Sequence, residues 1–268
     1  MALRRTATFS AFVLASMITL GACSSPPAAN SEYEEEPVAM LYNAAVDDLE
    51  GGSFDSAAVK FDEVERQHPY SKWAVKAQIM AAYSLYMGNK YDAAIVALDR
   101  FIQLHPSNKD TPYAYYLKGL SYYEQISDVG RDQLMTQLAL KTLNELMTRF
   151  PDSQYSRDAK LKIDLTYDHL AGKEMKIGRY YQSRQQWLAA INRFSSVVEK
   201  HETTTHVPEA LHRLVESYLA LGLRDEAKKH AAVLGHNFRS SKWYLESYAL
   251  LEDPNIEKPQ AEPWYKIW

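Results

Sequence analysis

The 268-residue chain has a single cysteine, only ten glycines and no excess of positive charge. One cysteine cannot close an intramolecular disulfide. Ten glycines supply few of the tight turns that a many-stranded β fold requires, which points away from that class. A formal net charge of −4 and a pI of 6.1 lack the basic balance of a nucleic-acid binder, so no nucleic-acid partner is expected. Catalytic signatures are also missing: there is no Gly-x-Ser-x-Gly elbow, no P-loop and no dinucleotide-type glycine fingerprint. Gly172 and Gly178 lie among lysines, but Arg179-Tyr180 follows where a phosphate loop needs Lys-Ser or Lys-Thr. His201, His206 and His212 are the closest histidine cluster, and the threonines between them read as a surface loop rather than a zinc site. The chain therefore reads as a non-enzyme, with no cofactor and no metal expected.

What is present begins with an address. Arg4 and Arg5 precede an apolar run from Phe9 to Leu20, which is short for a membrane-spanning helix, and Leu20-Gly21-Ala22-Cys23 follows. This end resembles the lipobox of bacterial lipoproteins, which implies that residues 1–22 are removed and that Cys23 carries the acyl chains anchoring the protein to a membrane. Two or more chains give stable anchoring where one does not. Removal of this segment takes away two arginines and no acid, so the formal charge moves from −4 to −6. In Gram-negative lipoproteins an aspartate after the cysteine holds the protein at the inner membrane. Ser24 stands there instead, which favours the outer membrane with the body in the periplasm. Residues 23–37 carry Pro26, Pro27, Pro37 and the acids Glu32, Glu34, Glu35 and Glu36, a composition that suits a solvated tether. Ser24 to Pro37 spans roughly 45 Å at full extension.

The body is a repeat. Phe54 and Tyr91, Ala57 and Ala94, Phe61 and Leu98, and His68-Pro69 and His105-Pro106 are each 37 residues apart. The frame returns at Trp187, Ala190, Phe194 and Val197, and again at Ala227. A copy stretched by about eight residues has Gly119, Ala139, Leu143, Leu146 and Pro151. In each copy a first helix carries a small residue (Ala45, Ala82, Gly119, Gly178) and a second carries an alanine followed by a large apolar side chain. Prolines end the second helices, and Ser71, Asn108 and Ser153 offer N-caps for the next. This pattern is similar to the tetratricopeptide repeat, whose usual period is 34. The expectation is an all-α superhelical solenoid of about five repeats, or ten helices. It divides into residues 38–155 for repeats one to three and residues 156–250 for a long helix and repeats four and five. A Pro-containing tail, residues 251–268, follows.

The lipobox, the acidic tether, the repeats and the segments His68-Pro69-Tyr70-Ser71-Lys72-Trp73-Ala74, Phe150-Pro151-Asp152-Ser153-Gln154-Tyr155 and Arg179-Tyr180-Tyr181 together resemble the BamD (ComL) family of outer-membrane β-barrel assembly lipoproteins. The resemblance covers about Glu36 to Ser247. It implies docking on the POTRA domains of the barrel subunit BamA, contact with other BAM subunits, and recognition of unfolded outer-membrane proteins. A different repeat lipoprotein, such as a pilotin or an envelope-division coordinator, is the alternative. In this repeat class the first helix of each pair lines a groove, which places Tyr42, Tyr83, Tyr86, Tyr113, Tyr116 and Tyr123 along it. Tyrosine offers a flat apolar ring and a hydroxyl, a combination suited to varied peptides. Arg193 matches a family arginine implicated in BamA docking. The aromatic tail Trp264-Tyr265-Lys266-Ile267-Trp268 is expected either to dock on a partner or to pack on the last repeat.

Overall fold

The structure is a computed structural model, and it describes residues 36–252. Cys23, the tether up to residue 35 and the aromatic tail lie outside the described residues. Eleven helices and no strand occur within them: α1 (Val38–Glu50), α2 (Phe54–Gln67), α3 (Lys72–Met87), α4 (Tyr91–Leu104), α5 (Thr111–Tyr123), α6 (Leu134–Arg149), α7 (Gln154–Ser183), α8 (Trp187–Lys200), α9 (Val207–Ala220), α10 (Arg224–Asn237) and α11 (Lys242–Glu252). Each packs on its neighbours in the chain, giving an array of antiparallel tetratricopeptide-type helix pairs.

The repeat is visible in the backbone itself. Gly52, Asn89, Gln185 and Gly222 all take positive φ, between 57° and 77°, at the turn from first to second helix. The third repeat has no such residue because its turn is the longer segment from Glu124 to Gln133. Every second helix ends alike, with His68, His105, Phe150, His201 or Phe238 at φ near −130° and its N–H bonded to the carbonyl four residues earlier. Ser71, Ser153 and Ser241 then cap the following helices, each accepting a backbone N–H bond through its hydroxyl oxygen.

Packing within a pair rests on a small residue facing a large one. Ala45 meets the Phe61 core, Ala82 shares a core with Leu98, Gly119 lies against Leu143 and Gly178 against Phe194. All eight are buried. The separation is 16 residues in every pair but the third, where the longer turn makes it 24. In the fifth pair the sizes are exchanged, with Val215 on α9 and Ala231 on α10 in one cluster. A Cβ on Gly178 would overlap the Phe194 ring.

The odd-numbered helices also pack on one another, α1 on α3, α3 on α5, α5 on α7 and α9 on α11. The even helices make no comparable packing among themselves, so the stack closes on its odd side. α7 runs 30 residues without a break and serves two repeats. Its first half supplies Ala159 and Ile163 to the core of α5 and α6, and its second half supplies Ala171 and Met175 to the core of α8 and α9.

The ten-helix expectation is short by one. α11 is the extra first-type helix, and its start, Ser241-Lys242-Trp243, repeats Ser71-Lys72-Trp73. It forms because the last pair would otherwise expose its apolar side: Trp243 and Tyr244 cover the α8–α9 core, and Leu251 covers Val215 and Ala231. A buried polar network fastens it. His212 Nδ1 meets Ser247 Oγ at 2.8 Å, and its Nε2 faces Glu216 Oε1 at 3.4 Å. Gln182 on α7 donates to Glu216 at 2.8 Å, as does Arg213 at 2.9 Å. Burial pushes the Glu216 carboxyl up, but the His212 and Arg213 contacts outweigh it and hold the carboxyl at about 2.

Gly178→Ala is expected to lower the unfolding free energy by about 1 to 3 kcal/mol, because Phe194 has no room to yield. Urea denaturation of the two proteins measures the difference.

Candidate functional site

The odd-helix side brings tyrosines from three helices together. Tyr83 and Tyr86 come from α3, Tyr113, Tyr116 and Tyr123 from α5, and Tyr155 from the first turn of α7. They meet because each first-type helix packs on the next, which stacks their inward positions one above another. Tyr155 is the keystone: its ring is 5.2 Å from Tyr113 and 5.4 Å from Tyr116, nearly parallel to the latter. Tyr86 stands edge-on to Tyr91 at 5.7 Å.

Each ring in this cluster is half-buried. Tyr83, Tyr86 and Tyr113 pack one side against Ile79, Leu98 and Leu117, while Tyr116 and Tyr155 pack against Leu143 and Ile163. The rings are therefore both the wall of the core and part of the surface. A carboxylate holds one of the hydroxyls: Tyr116 Oη donates to Asp158 Oδ2 at 2.5 Å. Burial, the Glu124 carboxylate and the neighbouring phenols push Tyr86 up to about 12. Burial comes first in raising Tyr113 and Tyr116 as well, with neighbouring phenols adding to both and Asp158 to the latter. Farther along, Lys162 Nζ lies 4.7 Å from the centre of the Tyr123 ring. Leu161 and Leu165, one turn apart on the same stretch of α7, are exposed. The arrangement offers aromatic faces, a fixed hydroxyl and an apolar edge, which suits an extended peptide with aromatic and apolar side chains.

Tyr42 is a correction. It is only 4% exposed and belongs to the first core, 5.3 Å from Phe61 and 4.7 Å from Trp73. Trp73, from the start of α3, folds over the ring that an inward-facing position on α1 would otherwise show. Tyr155, Asp158 and Lys162 escaped the sequence reading, because the stretched third repeat breaks the 37-residue frame ahead of α7. The Ser-x-aromatic start shared by Ser71-Lys72-Trp73 and Ser153-Gln154-Tyr155 is the signal that could have found Tyr155.

Arg193 lies elsewhere, on α8. Its Nη1 pairs with Glu174 Oε2 on α7 at 3.1 Å, and both side chains retain exposure. They line an open groove of about 350 Å³ with Tyr181, Ala189, Asn192, Ser196 and Lys200. Two cations against one carboxylate leave this groove receptive to an acidic side chain, and an exposed pair of this kind is worth little to folding. The three histidines of the loop reading do not converge. His212 is in the α11 network, His206 faces Asp168 at 3.6 Å, and His201 ends α8. No helix among the described residues is long and apolar enough to cross a membrane.

A family model described as YfiO, outer membrane lipoprotein, matches residues 34–234. The chain is 52% identical over 231 residues to the outer membrane protein assembly factor BamD of Caulobacter vibrioides, covering 86% of this chain and 75% of that protein. It is 47% identical over 236 residues to the protein of the same name from Rickettsia prowazekii, covering 88% and 93%. Among solved structures it is similar to a thermophilic TPR protein of Thermus thermophilus, at 18% identity and a TM-score of 0.39, covering 80% of this chain and 99% of that one. It is also similar to the TPR2AB domain of yeast Sti1, at 11% identity and 0.42, covering 80% and 82%.

The folded state favours the neutral phenol at Tyr86, Tyr113 and Tyr116, so their stabilisation is complete below about pH 10, the ordinary phenol value. It should fade as the pH rises through about 12 for Tyr86 and beyond that for the other two. Urea midpoints measured across this range should fall in the native protein. In a Tyr86→Phe/Tyr113→Phe/Tyr116→Phe variant the fall should be shallower.

Proposed function

The chain belongs to the YfiO family of outer membrane lipoproteins, and from that membership we propose that it is an outer membrane protein assembly factor working by two separate binding surfaces. The tyrosine cluster of α3, α5 and α7 takes extended segments of unfolded outer-membrane proteins. The α7–α8 groove holds an acidic side chain of the barrel subunit BamA, on its POTRA domains, through Arg193 and Lys200, and other BAM subunits join the same assembly. Cys23 carries the acyl chains that anchor the body to the periplasmic side of the outer membrane. The protein catalyses nothing in this reading, and the relatives' shared name favours it over a pilotin or a division coordinator.

The observation that carries the substrate site is the half-buried state of the rings. A fully exposed tyrosine loses rotamer freedom when it binds, and a fully buried one offers no surface. Rings fixed by the core on one side, and at Tyr116 also by Asp158 at the hydroxyl, are ordered before a ligand arrives, which removes part of the cost of binding. Each added aromatic contact contributes roughly 0.5 to 1.5 kcal/mol. A few such contacts, less the ordering of a flexible peptide, give weak binding, which suits a factor that hands its client on.

Titrating a C-terminal barrel-strand peptide tests this. Tyr83→Ala/Tyr116→Ala should weaken binding by about tenfold or more, the loss of two such contacts. Tyr83→Phe/Tyr116→Phe keeps the rings and should bind within a few-fold of the native protein. Equal binding by native protein and a still-folded alanine variant rules the cluster out as the substrate site.

A further inference from the structure

The junctions between repeats contain their own control. The turn after α2 reads His68-Pro69-Tyr70-Ser71, and the residue two places after each second-helix end is Tyr70, Ser107, Asp152, Thr203 or Ser240. All five positions are exposed, so the architecture asks for nothing apolar there. Four of the five residues are short and polar. Tyr70 alone is aromatic, and it is wholly exposed, at 102% of its reference area. Lys72 beside it is also exposed, and Trp73 keeps 37% exposure although one side of its ring lies on Tyr42. Packing explains part of Trp73 and none of Tyr70.

This junction is also where the tether enters the body. Glu36 donates its backbone N–H to Gln67 Oε1 at 3.1 Å, and its carbonyl meets His68 Nε2 at 2.7 Å. The chain arriving from the N-terminus is thus fixed at the turn that presents Tyr70. Thirteen residue steps separate Cys23 from Glu36, a reach of at most about 45 Å. A protruding tyrosine, a tryptophan edge and a lysine at the N-terminus of α3 are the side chains that settle at a phospholipid headgroup boundary. The rings enter the interface, while the lysine and the positive helix end face phosphate.

We propose that Tyr70, Lys72 and Trp73 rest on the phospholipid leaflet that holds the anchor, so that the body lies with its first repeat against the membrane. The contact rests on the reading of Cys23 as acylated. It is weak alone and becomes effective because the tether keeps the patch at high local concentration near the lipid. A protein partner is the competing occupant. The tether's entry at Gln67 and His68, in the same turn that presents Tyr70, favours lipid.

Acylation of Cys23 leaves no other thiol, so Pro69→Cys or Pro106→Cys gives a single site for a fluorophore at equivalent exposed positions of two junctions. The full-length lipidated proteins are reconstituted with vesicles of phosphatidylethanolamine and phosphatidylglycerol whose headgroups carry a nitroxide quencher. Strong quenching at 69, little at 106, and loss of the quenching at 69 when Tyr70→Ser is added are the expected results. Equal quenching at the two positions, or none, in protein that floats with the vesicles overturns the membrane contact and leaves the anchor standing. Failure of the native protein to float removes the anchor and this proposal together. Quenching unchanged by Tyr70→Ser, with weaker co-purification of the barrel subunit, assigns the patch to a protein contact and overturns it.

Discussion

The fold depends on one contact made four times: a residue with almost no side chain on a first helix, pressed on a large apolar side chain of the second. Ala45, Ala82, Gly119 and Gly178 let the helix axes approach, and Phe61, Leu98, Leu143 and Phe194 fill what remains. Interiors are packed too densely for this distance to vary much, so each pair is a rigid unit of nearly fixed thickness. Units of equal thickness can be stacked, and stacking is what repetition of the sequence produces. The exchange of sizes at Val215 and Ala231 keeps the summed volume while moving the bulk to the other helix.

The inner wall follows from that rigidity. With the odd helices packed on each other and the even ones apart, rings at inward positions of α5 and α7 come into contact, and those of α3 share a core with Tyr113. A second device works at the joints. The aromatic residue two places after each capping serine reaches back to the preceding first-type helix. Trp73 reaches Tyr42, Tyr155 reaches Tyr113 and Tyr116, and Trp243 reaches His212 and Arg213. The same lap seals the first joint and builds the tyrosine cluster at the third. At the last joint it helps clamp the terminal helix. Between the first joint and the third, what differs is how much of the tyrosine beneath the lap hides: Tyr42 is buried, and Tyr113 and Tyr116 are half-buried.

This explains what could be read from the sequence. The period, the small residues and the breaks at His68-Pro69 and His105-Pro106 are local properties, and they locate pairs without knowledge of their neighbours. The third pair was legible despite its extra eight residues because Gly119 and Leu143 keep their types. Contacts between repeats were harder. Whether an inward tyrosine is surface or core depends on a residue about thirty positions later, as Tyr42 does on Trp73, and no helical pattern on α1 reports it. Asp158 and Lys162 read as ordinary charges of a solvated helix until Tyr116 and Tyr123 are seen beside them. α11 was hidden for a different reason: among the described residues no second helix follows it to complete the pattern, although its Ser-Lys-Trp start was in plain view.

The central claim is that the tyrosine wall and the Arg193 groove bind different partners. Placing a photoreactive phenylalanine analogue at Tyr116 in one strain and at Arg193 in another, then irradiating intact cells, tests it most directly. The account predicts crosslinks from position 116 to newly exported barrel proteins and from position 193 to the barrel subunit of the assembly machinery. The same partner at both positions, or crosslinks from 116 confined to the protein's own chain, would contradict it.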